Sequence, residues 1–303
     1  MVKKIFIVFI GLSGVAHAQL DEFLNFQKGY PEAERRYRSR IQNIEGNCAI
    51  NVRYTDNSTL TSQVQFALSG EYKKALVQEK VSGKTFDSVY SIGPSFGFNL
   101  VKESSAKDFL IDSIEPKSTV REAFVREFSR FIDAPFAIQS QFLNGFLEYK
   151  GFNLVRFDSA TVGSADCWSL EFEFDRDGRR DKIVALFDKS LDFAIRQSKY
   201  QINGSKDTQI VYEVDYQESP GRHFFPKSVR IIDWDGRVFD ARLEPIREKA
   251  TPKEEFLLPF FGLPDITIPQ RPGTNTFPTW LVMTLLAAVG LVVATILRRY
   301  ANR

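Results

Sequence analysis

Two histidines, His17 and His223, are all the imidazole chemistry this chain possesses. His17 lies in Ala16-His17-Ala18, the small-residue end of an N-terminal secretory signal, so export leaves His223 alone. A lone imidazole in a turn beside Pro220 and Gly221, with no G-x-S-x-G elbow, does not assemble a hydrolase triad. It also excludes histidine-rich metal sites and any mechanism that needs two imidazoles. Asp175, Asp177, Gly178 and Asp181 offer carboxylates like those of a calcium loop. The glycine follows Asp177 directly and no Glu closes the loop, so the stretch reads as a charged hairpin tip. Asp233-Trp234-Asp235-Gly236 reads the same way, and strand alternation accounts for Glu171 and Glu173 on one face. No catalytic residue, metal site or cofactor is expected. Cys48 and Cys167 are the only cysteines. Export to an oxidising space allows them to bond, but Cys48 is in phase with apolar neighbours and Cys167 with Ser169 and Glu171. A disulfide and two independent thiols both remain open.

The other residue type that suggests chemistry is aromatic. The chain has 28 Phe and only 2 Met. Phe124, Phe128, Phe172 and Tyr212 fall on the inward faces of expected elements, where they either fill a core or line a cavity for an apolar chain.

Both ends of the chain specify location. Lys3 and Lys4, the apolar stretch Ile5 to Val15 and Ala16-His17-Ala18 predict a signal peptide over 1–18. Trp280 to Leu297 is free of charge and predicts a transmembrane helix over 280–297. Arg298, Arg299 and Arg303 make 298–303 a cytoplasmic basic tail, which places the preceding domain outside the cytoplasm, in the periplasm of a bacterium. The formal charge of +2 comes from 40 basic and 38 acidic residues, with Lys3, Lys4, Arg298, Arg299 and Arg303 in the terminal segments. The exported part is therefore mildly acidic, about −3, and has no electrostatic claim on nucleic acid.

Between the ends, period-two alternation dominates. Cys48, Ile50, Val52 and Tyr54 share one face, as do Val64, Phe66 and Leu68; Phe96, Phe98 and Leu100; Leu170, Phe172 and Phe174; and Ile210, Tyr212, Val214 and Tyr216. Ser69-Gly70, Ser82-Gly83, Asp177-Gly178, Asn203-Gly204 and Asp235-Gly236 supply hairpin turns. This predicts roughly five strands over 47–115 and a similar number over 152–246. A helical insert is expected near 118–150, opened by a Thr119/Glu122 capping box and broken at Pro135. An amphipathic helix is expected over 31–44. Residues 19–247 would form the exported domain, and prolines at 252, 259, 264, 269, 272 and 278 make 248–279 a stiff stalk. Its apolar run over 256–261 either docks on the domain, the favoured reading, or rests at the membrane interface.

The order helix, hairpins, helical insert, hairpins, with a Tyr-rich strand from Ile210, a Pro-Gly turn and Phe225-Pro226-Lys227, resembles the bacterial lipoprotein-carrier superfamily (LolA/LolB-like) and uncharacterised membrane-anchored envelope proteins. The resemblance implies a mainly β (α+β) fold: an antiparallel incomplete β-barrel whose concave face, covered by helices, accepts acyl chains. A chain tethered by a spanning helix cannot ferry cargo. The function expected is non-catalytic binding of an apolar ligand, a lipid or acylated peptide, between the concave sheet and the Phe-rich helices. The alternative is an envelope interaction or sensor module that engages a protein partner.

Overall fold

The computed structural model describes residues 17–116, 128–146, 149–205, 208–219 and 223–265. The predicted signal peptide, apart from its last two residues, and the spanning segment over 280–297 lie outside them. Among the described residues no helix is long and apolar enough to cross a membrane.

The alternating runs form two meanders. The first comprises β1 (Asn43–Arg53), β2 (Thr59–Ser69), β3 (Tyr72–Val81), β4 (Lys84–Ile92), β5 (Phe96–Glu103) and β6 (Leu110–Pro116). An insert follows, with α2 (Arg130–Asp133), the short hairpin β7 (Ala137–Ile138) and β8 (Gln141–Phe142), and α3 (Leu143–Phe146). The second meander comprises β9 (Asn153–Val162), β10 (Ala165–Arg176), β11 (Arg179–Asp188), β12 (Ala194–Gln201), β13 (Gln209–Ser219), β14 (His223–Ile232) and β15 (Val238–Leu243), followed by β16 (Arg247–Glu248). Turn chemistry sets the hairpins. Ser82 and Gly83 have φ of 51° and 82°, and Asp177 and Gly178 have 51° and 78°, the left-handed pair that a two-residue hairpin needs.

All of these strands except β7 and β8 join one antiparallel sheet of 14 strands, in which β1 pairs with β15 and thereby fuses the meanders. The ends of the strand order are β6 and β9, so the sheet is open and not a closed barrel. The insert connects those opposite edges, so its chain must cross the sheet. Hydrogen bonds fix its path: Ile195 N–H donates to Pro135 O at 2.8 Å, tying it to β12.

The N-terminal helix differs from expectation. It runs over His17–Arg40 as α1, with Pro31 in its interior, and residues from Asn43 onward are strand. Proline at the first helical position is favourable, which suggested a helix starting at 31. The stripe Phe23, Phe26, Tyr30, Ala33, Tyr37, spaced by alternating steps of three and four, is buried throughout and overrides that signal. An interior proline costs about 3 kcal/mol, which burial of four aromatic rings offsets. Tyr30 Oη donates to Phe136 O at 3.0 Å and Tyr37 Oη to Ile132 O at 2.5 Å, joining α1 to the insert.

The apolar run over 256–261 docks on the opposite, outer face of the first meander. Ser91 Oγ donates to Phe256 O at 2.8 Å, Lys74 Nζ bonds Glu255 at 3.2 Å, and the Phe261 ring meets Phe98 and Phe109 at 6.0 and 5.8 Å. This cover explains why Val89, Phe98 and Leu100 are buried on a face that would otherwise be wet. The compact unit that holds the sheet ends at Leu263.

Candidate functional site

Directly paired residues of adjacent strands project to the same face of a sheet. Through the observed registers a single inward-facing row runs Phe157, Leu170, Ala185, Ser198, Tyr212, Ile231, Phe239, Val52, Leu60 from β9 to β2. What covers this row changes along its length.

Over β9 to β12 it is packed solid. Phe26 of α1 lies 5.5 Å from Phe157 and 4.9 Å from Phe187, and Phe146 of α3 lies 5.8 Å from Phe172 and 5.2 Å from Phe174. Over β15, β1, β2 and β3 the same face opens into a cavity of about 670 Å³. That is within the roughly 300–1,000 Å³ of small-molecule sites. Its wall is mixed: the aliphatic Ile50, Val52, Leu60, Val64, Ala75 and Val77 and the aromatic Tyr54, Tyr90 and Phe239 share it with Ser62, Glu79, Arg130, Asp233 and Arg237. Phe128, just before α2, lies 4.7 Å from Phe66 and also lines the cavity.

The polar residues gather towards one end. Glu79 pairs with Ser62 across β2 and β3, while Asp233 and Arg237 belong to the turn between β14 and β15. By register these positions lie at the same strand ends as Leu60 and Val52, whereas Val64, Val77 and Ala75 lie further in. Ser62 Oγ donates to Glu79 Oε1 at 2.8 Å, and Arg237 bridges Asp233 at 3.4 Å and Asp235 at 2.6 Å. Arg130, at the start of α2, places its guanidinium 4.0 Å from the centre of the Phe239 ring, within cation–π range. The Tyr212 phenol lies near these charges. Burial pushes it up to about 12, with Arg130 pulling it down and Asp233 pushing it up, so it is neutral at physiological pH.

The four aromatic candidates thus separate. Phe128 lines the cavity. Tyr212 is buried in the inward row two strands from Phe239 and is not part of the lining. Phe172 is fully buried against Phe146, Phe152 and Phe174 and is not among the residues lining this cavity. Phe124 lies outside the described residues. The residues that sequence reasoning missed are Glu79, Arg130, Asp233, Arg237 and Phe239. Their only advance signal was the Asp233-to-Gly236 tip, which alone looks like any solvated turn.

The cysteines are two free, buried thiols. Cys48 is on β1 and Cys167 on β10, with five strands between them in the sheet order, far beyond the roughly 7 Å Cα separation a disulfide spans. Burial pushes the Cys48 thiol up to about 12 and raises that of Cys167, where Asp188 adds to the effect. Both are protonated and poor nucleophiles. Cys167 is nonetheless buried on the polar side of β10, beside an anchor formed by fully buried Asp188. That carboxylate accepts from Ser190 N–H and Oγ at 2.8 and 2.7 Å and from Arg196 Nε at 2.8 Å. Burial alone would raise its pKa, but these bonds outweigh burial and hold it below the usual carboxylate range.

The Asp175–Asp181 stretch diverges. Asp177 is at the hairpin tip, whereas Asp181 is buried and accepts from Tyr200 Oη at 2.5 Å and Asn203 N–H at 3.0 Å. Among the described residues no three His, Cys, Asp or Glu side chains are grouped to hold a metal. His223 opens β14, paired with Ser219.

No protein-family model and no curated protein matches the chain. Among solved structures it is similar to a LolA superfamily protein from Nitrosomonas europaea, at 14% identity and a TM-score of 0.44 over 77% of this chain and 98% of that one. It is also similar to a putative outer membrane lipoprotein-sorting protein domain from Vibrio parahaemolyticus (15% identity, TM-score 0.42, 76% of this chain and 96% of that). A third is a DUF1329 family protein from Desulfovibrio piger (12%, 0.44, 78% and 98%).

Proposed function

We propose that this protein is a non-catalytic, extracytoplasmic binding protein, held in its membrane by the segment over 280–297, that keeps an apolar chain of a lipid or acylated peptide in the concave cavity. The observation that carries this reading is the cavity of about 670 Å³ over the β1–β3 face, where Ile50, Val52, Leu60, Val64, Ala75 and Val77 form an apolar stretch beside a polar end. Filling its apolar stretch with a hydrocarbon chain gains free energy at roughly 25 cal/mol per Å² of apolar surface removed from water. Protonated thiols and the absence of an imidazole pair from the exported sequence favour binding over chemistry.

The test is mass spectrometry of the purified protein for co-purifying lipid, alongside displacement of a fluorescent fatty acid. Val77→Phe, which adds a ring inside the cavity, is expected to weaken probe binding at least tenfold while leaving the circular dichroism unchanged. Absence of any bound lipid, together with equal probe affinity in both proteins, would overturn the reading.

A further inference from the structure

Among the described residues, exposed large apolar side chains gather at one end of the sheet: Tyr54, Val81, Leu110, Ile111 and Trp234. Register places them together. Arg53 pairs with Thr59 and Val238, Ile232 with Val238, Val81 with Lys84 and Val101 with Leu110, so the turns that join these strands share one end. Turns at the other end, 70–71, 93–95 and 163–164, carry no large apolar residue. The centre of the group is aromatic. Tyr54 follows β1 and Trp234 precedes β15, and a Cβ at Gly236 would meet Thr55 Cγ2 at 3.4 Å, so the two turns lie side by side. Trp234 is 57% exposed and Tyr54 37%. Tyr54, Asp233 and Arg237 also line the cavity, which therefore reaches the surface beside these rings. Charges next to them are answered within the protein, Arg237 by Asp233 and Asp235 and Lys84 by Glu103. That leaves apolar contact, not net charge, as what this end offers a partner.

We infer that this end of the sheet docks on a lipid bilayer, with Trp234 and Tyr54 seated at headgroup level and the cavity opening towards the acyl region. Trp and Tyr carry an apolar body and a polar tip and settle at membrane–water interfaces. Separate rings on separate turns suit a deformable lipid surface, whereas a rigid partner is met by one contiguous patch. The chain permits the approach: fully extended, the stretch from Asp265 to the proposed anchor at 280 spans roughly 50 Å, longer than the roughly 36 Å of β1. Docking here gives an acyl chain a route into the cavity that avoids water, so the inference extends the cavity reading without depending on it.

The experiment reconstitutes the full chain into phosphatidylcholine vesicles that contain a trace of a lipid with a diazirine in its upper acyl chain. Cross-links are mapped to residues by mass spectrometry. Labelling of Trp234 is expected to exceed that of the 93–95 turn by about tenfold, the partition of one aromatic ring leaving water, and to be unchanged by added salt. Trp234→Ala removes an exposed ring, so it should lower labelling at Val81 and Leu110 without changing the circular dichroism. Val77→Phe, which fills the cavity, should leave Trp234 labelled. Equal labelling of Trp234 and the 93–95 turn, or an unchanged pattern in Trp234→Ala, overturns the docking surface. Loss of Trp234 labelling in Val77→Phe overturns it too, because lipid would then reach the ring only by way of the cavity. Labelling at Trp234 with none at Val64 and Val77 upholds the docking surface and removes the cavity reading.

Discussion

The β9–β12 half of the sheet and the β1–β3 half share one inward-facing row of side chains, yet one is filled and the other hollow. In the filled half the row meets α1 and α3, and the contacts are aromatic: Phe26 with Phe157 and Phe187, Phe146 with Phe172 and Phe174. In the hollow half Ile50, Val52, Leu60, Val64 and Val77 share the wall with Phe128, Phe239 and charged side chains. Large planar rings on both surfaces allow a helix and a sheet to close without voids, whereas a lining of short branched side chains leaves room above it. Paired aromatic rings on helix and sheet mark the filled half, while the cavity keeps only the phenylalanines Phe128 and Phe239 among its aliphatic and charged lining.

This contrast can be broken experimentally. The largest effect is expected for Phe172→Ala, which should cost about 3–5 kcal/mol in urea unfolding because a ring is removed from a close-packed layer. A cost below about 1 kcal/mol would mean that the β9–β12 half is not solid. Asp188→Ala, which strands Arg196 in the same half, should cost about 3 kcal/mol at neutral pH. The carboxyl of Asp188 is held below its unfolded range, so its contribution is present above pH of about 4 and is lost as pH falls through the folded value. The wild-type advantage over Asp188→Ala should accordingly shrink in acid; an advantage independent of pH would contradict the assignment. Leu60→Ala, on the part-buried cavity wall, should cost only about 1 kcal/mol while altering probe affinity, the reverse of Phe172→Ala. The smallest effect concerns the thiols. Reagent added to the native protein should label neither Cys48 nor Cys167 rapidly, and both should react after denaturation without reductant; a bonded pair would leave none to react.

The sheet was legible residue by residue. Alternation at Cys48–Tyr54, Val64–Leu68 and Leu170–Phe174 and the Gly-containing turns identify strands and hairpins because both depend on local backbone geometry. Docking of the run over 256–261 followed from its apolarity. Pro31 misled, because a proline suited to a helix start is also tolerated inside a helix when a long aromatic stripe drives burial. The cavity was not legible in its parts. Whether an inward valine meets a side chain or empty space depends on what crosses the sheet above it, and Phe172 and Phe128 look alike in sequence though one is core and the other wall. The charges at Glu79, Arg130 and Asp233 come together only through strand register and the insert's path, which no local pattern encodes.

The pairing of β1 with β15 has a kinetic consequence. Apart from the short β16, which also pairs with β1, every other neighbour in the sheet is consecutive in the chain, so each meander can zip from short hairpins. The Cys48–Leu243 to Arg53–Val238 seam must instead bring together residues nearly the length of the sheet apart in sequence, at a loop-closure cost that makes it the late step. The cavity straddles this seam, with Ile50 and Val52 on one side and Phe239 on the other. The cavity therefore does not exist until the seam has zipped. On the proposed function, a ligand held there would act as a rivet across the seam, stabilising the folded state by mass action.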